Sequence, residues 1–491
     1  QGNRHATLGP EAERRALESF VQRGGTVIVL PSARLRATDW PWWDRLVGVR
    51  PQPMRNWGAA NQDLAALATY DGGWVARTTD PSPPGETAGI SPTESASEFA
   101  MPLDREVSPV AALDWVLTRG AAQPATHLTR EFRELAMPAD GSFAVQDLAV
   151  NLNDPMELAV AANGDVYVME RQGRLLRLVA AEGYRQEVVA TLSVAGGMPG
   201  GTVAQECGGL GLTLSPDFME TGHLFVFYSP PEPSVYRLSR FTIAPGVSPS
   251  NLGDERMLLE IPTDRENTTC HEGGSLAFGP DGNMYLSVGD NTNPFESNGY
   301  APIDEREGRK WWDAQRSAGN SNDLRGGIVR IRPTAEGGYT IPAGNLYPPG
   351  TPNTRPELFV KGCRNPFRMS IDPQTGDVYW GDVGPDASAD GSAGTRGFDE
   401  FNRATTAGFF GWPYYRGGLP YLDRDFETNT IGASFDELLV NDSPNNTGVR
   451  DLPPAVAPYF SYTYAQDERL PELRSGSRNA MAGPIFRGPY D

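Results

Sequence analysis

The stretch LAFGPDGNMYLSVGD, residues 276–290, predicts the fold of most of this chain. Apolar residues alternate with small or polar ones before a Pro-Asp-Gly-Asn segment at 280–283, and they alternate again after it. Alternation of this kind places one face of a strand in a core, and the segment between the two runs has the residues of a tight turn. The stretch therefore predicts a β-hairpin.

The same pattern recurs three more times along the chain. The other copies are LAVAANGDVYVMERQGRLLRL (158–178), LTLSPDFMETGHLFVFY (212–228) and MSIDPQTGDVYWGDVG (369–384). Repeated hairpins separated by insertions of variable length indicate a β-propeller, in which each blade buries its faces against its neighbours. A β-sandwich of unrelated hairpins is the alternative. We expect the insertions to lie on one rim, where propellers carry function.

Composition narrows the class of partner. The chain has 491 residues, of which 39% are hydrophobic, enough for two or three well-buried cores. Its 62 acidic and 42 basic residues give a net charge of −20, which repels phosphate backbones and anionic lipid surfaces. Apolar runs do not reach the roughly 20 residues that cross a bilayer. The sequence predicts neither a nucleic-acid partner nor a membrane span.

The first part of the chain has a different pattern. Residues 10–23 have helical periodicity and end at two glycines, and the apolar run TVIVL (26–30) follows as a buried strand. A helix, a glycine turn and a fully apolar strand are parts of a parallel α/β sheet. Such a sheet needs strands before residue 1, so we expect this domain to be truncated.

Domain boundaries follow from changes in composition. Residues 80–98 are rich in Pro, Ser, Gly and Thr and predict an exposed loop, and a second helix is predicted at 109–117. We divide the chain into an α/β domain at 1–125, a linker at 126–144 and a propeller at 145–491.

Three segments place glycines and polar residues where a blade begins. They are QECGGLGLTLSPDF (205–218), CHEGGSLAFGPDG (270–282) and GCRNPFRMSIDP (362–373). Equivalent positions of successive blades converge on the central channel of a propeller. We therefore expect His271, one of only four histidines, to lie near Arg364 and Asn365.

Linked motifs give the chain a resemblance to a known family. The motifs are HEGGSLAFGPDGNMYLSVGD (271–290), GCRNPFRMSIDPQTGDVYWGDVGP (362–385) and FDEFNRATTAGFFGWP (398–413). Together they resemble the glucose/sorbosone dehydrogenase family, soluble aldose dehydrogenases that use pyrroloquinoline quinone (PQQ). The resemblance covers about residues 145–491 and implies a mainly β, six-bladed propeller, incomplete here because the sequence ends at Asp491. Residues 8–48 resemble part of the ThuA-like (trehalose-utilisation) domain, a flavodoxin-like α/β fold.

The resemblance implies roles for four residues. His271 matches the general base that takes the proton of the sugar's anomeric hydroxyl, a task that suits the near-neutral pKa of histidine. Asp290 matches the acid that orients this base. Arg364 and Asn365 match the pair that contacts the quinone carbonyls, where a positive charge and a donor stabilise the reduced cofactor. A structural role in turns or in the core is the alternative for each.

Further positions carry the implied metal and substrate contacts. Backbone carbonyls that help to hold a calcium ion fall on Gly384 and Pro385, and calcium accepts such neutral oxygen ligands. Glu206 and Cys270 stand where the soluble glucose enzyme has a Gln and an Asp in contact with sugar, so the sugar recognised here is expected to differ. The family's remaining basic contacts to PQQ come from its last blades, so we expect the cofactor site of this chain to be incomplete.

Each of the three cysteines, Cys207, Cys270 and Cys363, flanks one of the channel motifs. We expect at least two of them to lie close enough for a disulfide, with Cα atoms within about 7 Å. A metal cluster made by these thiols and His271 is a further alternative.

The sequence thus predicts a periplasmic or secreted bacterial dehydrogenase that uses PQQ and calcium to oxidise an aldose to a lactone. An external electron acceptor, such as a cytochrome c, would reoxidise the cofactor. Two alternatives stay open, because a propeller fold does not decide function. One is a non-catalytic module that binds carbohydrate or a partner, and the other is a calcium-dependent hydrolase such as a lactonase.

Overall fold

The computed structural model describes most of the chain from residue 146 onward and three short strands before it. The described residues are 26–28, 66–70, 73–77, 146–149, 151–195, 206–244, 252–295, 297, 301–389, 396–425, 428, 430–435, 439–465, 473, 475–476 and 478–485. The chain divides into two compact units, Gln1–His127 and Leu128–Asp491.

The first unit contains a small three-stranded sheet. Its strands are β1 (Thr26–Ile28), β2 (Ala66–Tyr70) and β3 (Gly73–Arg77), with β3 in the middle. Strand β1 is parallel to β3, as expected of the apolar run at 26–30, whereas β2 is antiparallel to β3. The predicted helices at 10–23 and 109–117 and the predicted loop at 80–98 lie outside the described residues.

The second unit begins with two four-stranded antiparallel sheets, each formed by consecutive strands. The first sheet contains β4 (Pro155–Val160), β5 (Val166–Glu170), β6 (Arg174–Val179) and β7 (Arg185–Thr191). The second contains β8 (Gly209–Leu214), β9 (His223–Tyr228), β10 (Val235–Thr242) and β11 (Gly253–Pro262). A single helical turn, Phe218–Thr221, lies between β8 and β9.

Two more sheets follow, and both contain long insertions. The third contains β12 (Gly273–Phe278), β13 (Met284–Val288), β14 (Gly327–Pro333), β15 (Tyr339–Thr340) and β16 (Leu358–Lys361). The fourth contains β17 (Arg368–Ile371), β18 (Val378–Asp382), β19 (Asp399–Ala404) and the late strand β25 (Phe460–Tyr462). In both sheets the first two strands are the hairpin that the sequence repeat predicted.

Short elements fill the segment between β19 and β25. They are β20 (Gly408–Phe409), which extends the third sheet, and the hairpins β21 (Tyr415–Arg416) with β22 (Leu419–Pro420) and β23 (Leu422–Asp425) with β24 (Thr430–Ser434). Single 3₁₀ turns occur at Ala180–Glu182, Lys310–Trp312 and Ala314–Arg316. Within the described residues no helix has the length and apolar character needed to cross a membrane.

Three of the apolar cores lie between successive sheets. One core joins the first and second sheets and includes Tyr167 and Phe241. Another joins the second and third sheets through residues such as Phe227 and Leu286, and a third core joins the third and fourth sheets around Trp380. Burial of each sheet face against the next sheet is how propeller blades are stabilised. The unit is therefore mainly β and propeller-like.

The first strands of the four sheets meet at the centre of this arrangement. Strand β8 contacts β4 on one side and β12 on the other, and β12 also contacts β17. Arg368 of β17 donates to the carbonyl of Met156 in β4 and lies 3.8 Å from the carboxylate of Glu157. Burial raises the pKa of Glu157 to about 7 although Arg368 opposes the shift. The described residues thus form four blade-like sheets, fewer than the six blades that the resemblance implies.

The contact between β8 and β12 depends on glycine. A Cβ on Gly211 would lie 1.8 Å from the carbonyl oxygen of Gly274, a distance that only movement of the backbone could relieve. We predict that Gly211→Ala lowers the free energy of unfolding of the chain by about 1–3 kcal/mol, the usual cost of overpacking. Gly338 is the matched control, because the nearest atom to its Cβ would be 3.7 Å away. Equal denaturant midpoints for the two variants would contradict this account of the strand contact.

Candidate active site

The hairpin of β12 and β13 brings His271 and Asp290 together. His271 lies just before β12 and Asp290 just after β13, and antiparallel pairing places both at the same end of the hairpin. His271 Nδ1 is 2.7 Å from Asp290 Oδ1, and both side chains are buried. His271 has a φ of 62°, a left-handed conformation that is uncommon for a residue with a side chain. The base is therefore presented to Asp290 by an unusual left-handed backbone conformation at His271.

The Asp290 carboxylate is fully buried and has three partners. Trp412 Nε1 donates to Oδ2 at 2.8 Å, and the Thr292 amide donates to the oxygen that faces His271, at 2.9 Å. Burial alone would raise the pKa of Asp290, but its interaction and hydrogen bond with His271, the positive charge of Arg364 and the hydrogen bond from Trp412 hold that pKa below its usual value. An ionised Asp290 accepts a hydrogen bond from the Nδ1–H group of His271, which leaves Nε2 of the neutral ring as the acceptor.

Arg364 and Asn365 lie in the loop between β16 and β17 and contact this same hairpin. The Asp290 amide donates to the Arg364 carbonyl at 2.8 Å, and the Gly273 amide donates to Asn365 Oδ1 at 2.9 Å. The structure therefore brings together the histidine, the acid, the arginine and the asparagine that the sequence motifs singled out.

Asp382 is a site residue that the sequence analysis missed. Its two carboxylate oxygens accept from the amides of Arg364, at 2.9 Å, and Asn365, at 2.6 Å, and so fix the loop. Burial raises the pKa of Asp382 to about 7 although those backbone donors oppose the shift. The sequence did contain a signal for it. Gly381-Asp382 ends the second strand of the β17–β18 hairpin, and Gly289-Asp290 directly follows the second strand of the β12–β13 hairpin.

The Arg364 guanidinium is a buried cation with spare donors. Its Nη1 donates to the Val383 carbonyl at 3.2 Å, and the group lies 5.8 Å from the centroid of the Trp412 ring. Among the described residues no carboxylate forms an ion pair with it, although its side chain is almost fully buried. A buried guanidinium without a paired anion suits a ligand that brings electron-rich oxygen atoms, such as a quinone.

Glu206, the expected sugar contact, bonds to the turn that carries His271. Its Oε2 accepts from the backbone amides of His271, at 2.8 Å, and Glu272, at 3.3 Å. This carboxylate therefore fixes the strained turn that carries the base. Cys270 is buried beside it, and burial raises the pKa of its thiol to about 11, so the thiol stays protonated at neutral pH.

The predicted disulfide is absent, because all three cysteines are free and buried. Burial raises the pKa of Cys207 and of Cys363 well above the usual range, so these thiols stay neutral inside the cores. The described residues also contain no group of three His, Cys, Asp or Glu side chains arranged to hold a metal, so the alternative of a Cys/His cluster has no support.

Gly384 and Pro385, the expected calcium ligands, follow β18. The Gly384 amide donates to Asp399 Oδ1 at 3.1 Å, and the Pro385 carbonyl already accepts from the Ala387 amide at 2.8 Å. Burial raises the pKa of Asp399 to about 6. Two backbone carbonyls are far fewer than the roughly six to eight oxygen ligands that calcium takes. These two donors alone do not form a calcium site.

The four blade-like sheets define a propeller-like protein. Its polar site, built around His271 and Asp290, lies at the ends of the blade hairpins. The chain belongs to the glucose/sorbosone dehydrogenase family, whose profile matches residues 152–440. That match includes every site residue described above.

Three curated relatives differ in what their names state. An uncharacterized protein of Synechocystis is 29% identical over 270 residues, which is 53% of this chain and 57% of that protein. The human Hedgehog-interacting protein is 24% identical over 253 residues, or 48% of this chain and 33% of that protein. The Escherichia coli aldose sugar dehydrogenase YliI is 24% identical over 290 residues, or 58% and 65%. The chain thus spans less than two thirds of each relative.

Solved structures include similar proteins. The PQQ-bound aldose sugar dehydrogenase of Streptomyces coelicolor is 21% identical, with a TM-score of 0.40, and the likeness covers 61% of this chain and 73% of that one.

Glu272, next to the base, makes the stability of the site depend on pH. Its side chain is fully buried beside Tyr236 and Cys207. Burial, with help from the charge of Glu206, raises the pKa of Glu272 to about 8. The folded protein therefore binds this proton more tightly than the unfolded chain does. The resulting stability is complete below the ordinary carboxyl pKa and is lost as pH rises through about 8.

We predict that the free energy of unfolding of Glu272→Gln, relative to that of the wild-type chain, increases by at least about 1 kcal/mol as pH rises from 5 to 9, because glutamine stays neutral. The measurement is the free energy of unfolding at each pH. Glu220→Gln, on the exposed helical turn, is the control and should follow the wild-type pH dependence. If Glu272→Gln also follows it, Glu272 does not keep its proton in the folded protein.

Proposed function

We propose that the chain oxidises an aldose at the anomeric carbon to a lactone with PQQ as its cofactor and His271 as its base. The observation that carries the proposal is the buried hydrogen bond of 2.7 Å between His271 and Asp290, with Arg364 and Asn365 bound to the same hairpin. Family membership and the aldose sugar dehydrogenase among the relatives support it.

In this proposal the proton of the anomeric hydroxyl passes to Nε2 of His271. Its Nδ1 is occupied by Asp290, so the ring is held in the tautomer that can accept at Nε2. The ionised Asp290 stabilises the imidazolium that forms, and Trp412 keeps the carboxylate in place. A base held in this way accelerates proton transfer by typically 10²–10⁴-fold.

Arg364 and Asn365 would hold PQQ. PQQ, when bound, supplies the acceptor for the hydride of the anomeric carbon. The spare N–H groups of the Arg364 guanidinium fit that acceptor, because they can stabilise negative charge that develops on its oxygen atoms. Asp382 keeps both backbone amides of this pair fixed, so the two side chains stay in position without rearrangement during reaction.

The finer parts of the proposal rest on the sequence resemblance. Calcium belongs to it, with the carbonyls of Gly384 and Pro385 as two ligands and the remaining ligands from elsewhere. The other parts are a propeller completed to six blades, a ThuA-like domain at the N-terminus, a periplasmic or secreted location, and an external electron acceptor such as a cytochrome c.

A second candidate function is a non-catalytic propeller that binds a partner protein. The observation that favours it is the relationship to the human Hedgehog-interacting protein, whose name states a binding function. A binding module would not need an ionised aspartate that orients a histidine, so activity measurements separate the two candidates. The alternative of a lactonase-type hydrolase is favoured by no observation in the described residues.

We predict that His271→Gln lowers turnover of aldoses by roughly 10²–10⁴-fold in the full chain supplied with PQQ and calcium. Glutamine keeps the size and polarity of the side chain but cannot take the proton, so PQQ binding should change little. Steady-state rates with a dye as electron acceptor provide the measurement.

His223→Gln is the matched control, because His223 begins β9 and is not part of the site. Its turnover should stay within about twofold of the wild-type value. Wild-type turnover in His271→Gln would contradict the assignment of the base. A wild-type chain that binds neither PQQ nor sugar would contradict the dehydrogenase proposal and favour the binding module.

A further inference from the structure

The peptide group between Asn291 and Thr292 links the candidate active site to the insertion that follows β13. Its N–H belongs to Thr292 and donates at 2.9 Å to Asp290 Oδ1, the same carboxylate oxygen that faces His271 Nδ1. Its carbonyl belongs to Asn291 and accepts from Arg316 Nη2 at 2.8 Å. A peptide group is planar, so the direction of the carbonyl fixes the direction of the N–H. Arg316 therefore acts on Asp290 through one rigid group.

This peptide group belongs to a turn with an uncommon backbone conformation. Asn291 has a φ of 50°, in the left-handed region, and such a conformation persists only where surrounding contacts hold it. The Asn291 amide donates to the carbonyl of His271 at 3.3 Å, and Asn291 Oδ1 accepts from the amide of Asp264 at 3.0 Å. The turn is thus bonded to the backbone of the base on one side and to the loop after β11 on the other.

The Arg316 side chain is held by three acceptors in different parts of the chain. Nε donates to the Lys310 carbonyl at 2.7 Å, and Nη1 donates to Asp264 Oδ2 at 2.7 Å, in addition to the bond from Nη2 to the Asn291 carbonyl. Hydrogen bonds from a charged donor are roughly twice as strong as neutral ones. The planar guanidinium directs its N–H groups in a rigid fork, so the bond to Asn291 has a fixed direction.

The segment that carries Arg316 also supports the second oxygen of Asp290. Arg316 ends a 3₁₀ turn that begins at Ala314, and Ala314 and Ala318 pack with Trp412. The indole of Trp412 donates to Asp290 Oδ2 at 2.8 Å. One short part of the insertion thus supports donors to both oxygens of the buried carboxylate.

The hydrogen bond of Arg316, rather than its charge, is its main effect on Asp290. Two ion pairs balance the charges in this region: Arg316 with Asp264, at 2.7 Å, and Arg325 with Asp323, at 2.6 Å. A cation that is already paired exerts a weaker attraction on a third group at longer range. The contact that reaches Asp290 directly is the oriented peptide N–H.

We propose that Arg316 is a positioning residue for the base. It orients the peptide group of Asn291 so that the Asp290 carboxylate stays hydrogen-bonded to Nδ1 of His271. The positioning role stands on these contacts alone. Its effect on turnover rests on the proposed function, in which His271 must accept a proton at Nε2.

The tautomer of His271 is the direct readout, because a carboxylate held at Nδ1 keeps the proton of the neutral ring on that atom. The chain has only four histidines, so ¹⁵N NMR of the full chain labelled at histidine can report it, with His271→Gln to assign the signal. The spectra are recorded at a pH at which the ring is neutral. Arg316→Gln should raise the share of the Nε2–H tautomer about fivefold, as expected for the loss of one ordinary hydrogen bond to Asp290.

Arg177→Gln is the matched control. Arg177 is as buried as Arg316, each with 7% of its surface exposed, and it pairs with Asp165 at 2.7 Å in the first blade. Its loss should lower the free energy of unfolding but leave the tautomer of His271 unchanged. Arg316→Lys should give a smaller shift than Arg316→Gln, because an ammonium group keeps the charge but cannot reproduce the fork. If Arg316→Gln does not fold, the shift in Arg316→Lys decides the question.

In the active chain, Arg316→Gln should lower kcat for aldoses about 10–100-fold with little change in KM, the usual effect of losing a group that orients a functional histidine through its partner. A wild-type tautomer or a wild-type kcat in the folded variant would overturn the proposal. An equal tautomer shift in Arg177→Gln would also overturn it, because general destabilisation would then explain the change. A shift confined to the Arg316 variants, in a chain whose wild type oxidises no aldose, would instead refute the proposed function and leave the positioning role intact.

Discussion

The buried negative charge of Asp290 is the constraint on which the site depends. A carboxylate without solvent is costly unless each oxygen is satisfied, and here the donors come from three separate parts of the chain. His271 belongs to the start of the same hairpin, Thr292 to the following insertion, and Trp412 to a turn 122 residues away. Loss of one donor would leave the others around an unsatisfied charge. The hairpin, the insertion and the distant turn are thus fixed to one another through a single group.

A second buried carboxylate, that of Asp382, fixes separate segments in the same way in the next blade. Asp382 holds the backbone of the loop that carries Arg364 and Asn365, and this loop in turn bonds to the hairpin of His271. Close contact between the first strands of the blades makes these connections short, since the glycines at 211 and 274 let two strands approach without side chains between them. Packing between sheets sets the position of each blade, and the two carboxylates set the position of the functional side chains.

Local sequence patterns predicted the parts of this structure that depend on local physics. The hairpin at 276–290 formed as its alternation and turn residues required, and it brought Asp290 to His271. Contacts that depend on distant packing were not predictable in this way. Trp412 has no local feature that marks it as a donor to Asp290. The need for glycine after Glu272 also comes from distant packing, because a Cβ on Gly274 would lie 2.6 Å from Leu210 Cβ in the neighbouring blade.

The most direct test of the account is the absorbance change of PQQ during one turnover of the full chain, after rapid mixing with an aldose. Sugar that carries deuterium on the anomeric carbon should reduce the quinone more slowly than ordinary sugar, because that carbon loses a hydride. The account predicts reduction that is sensitive to deuterium and depends on His271. Quinone that stays oxidised in the presence of sugar, or that is reduced equally fast with both sugars, would contradict it.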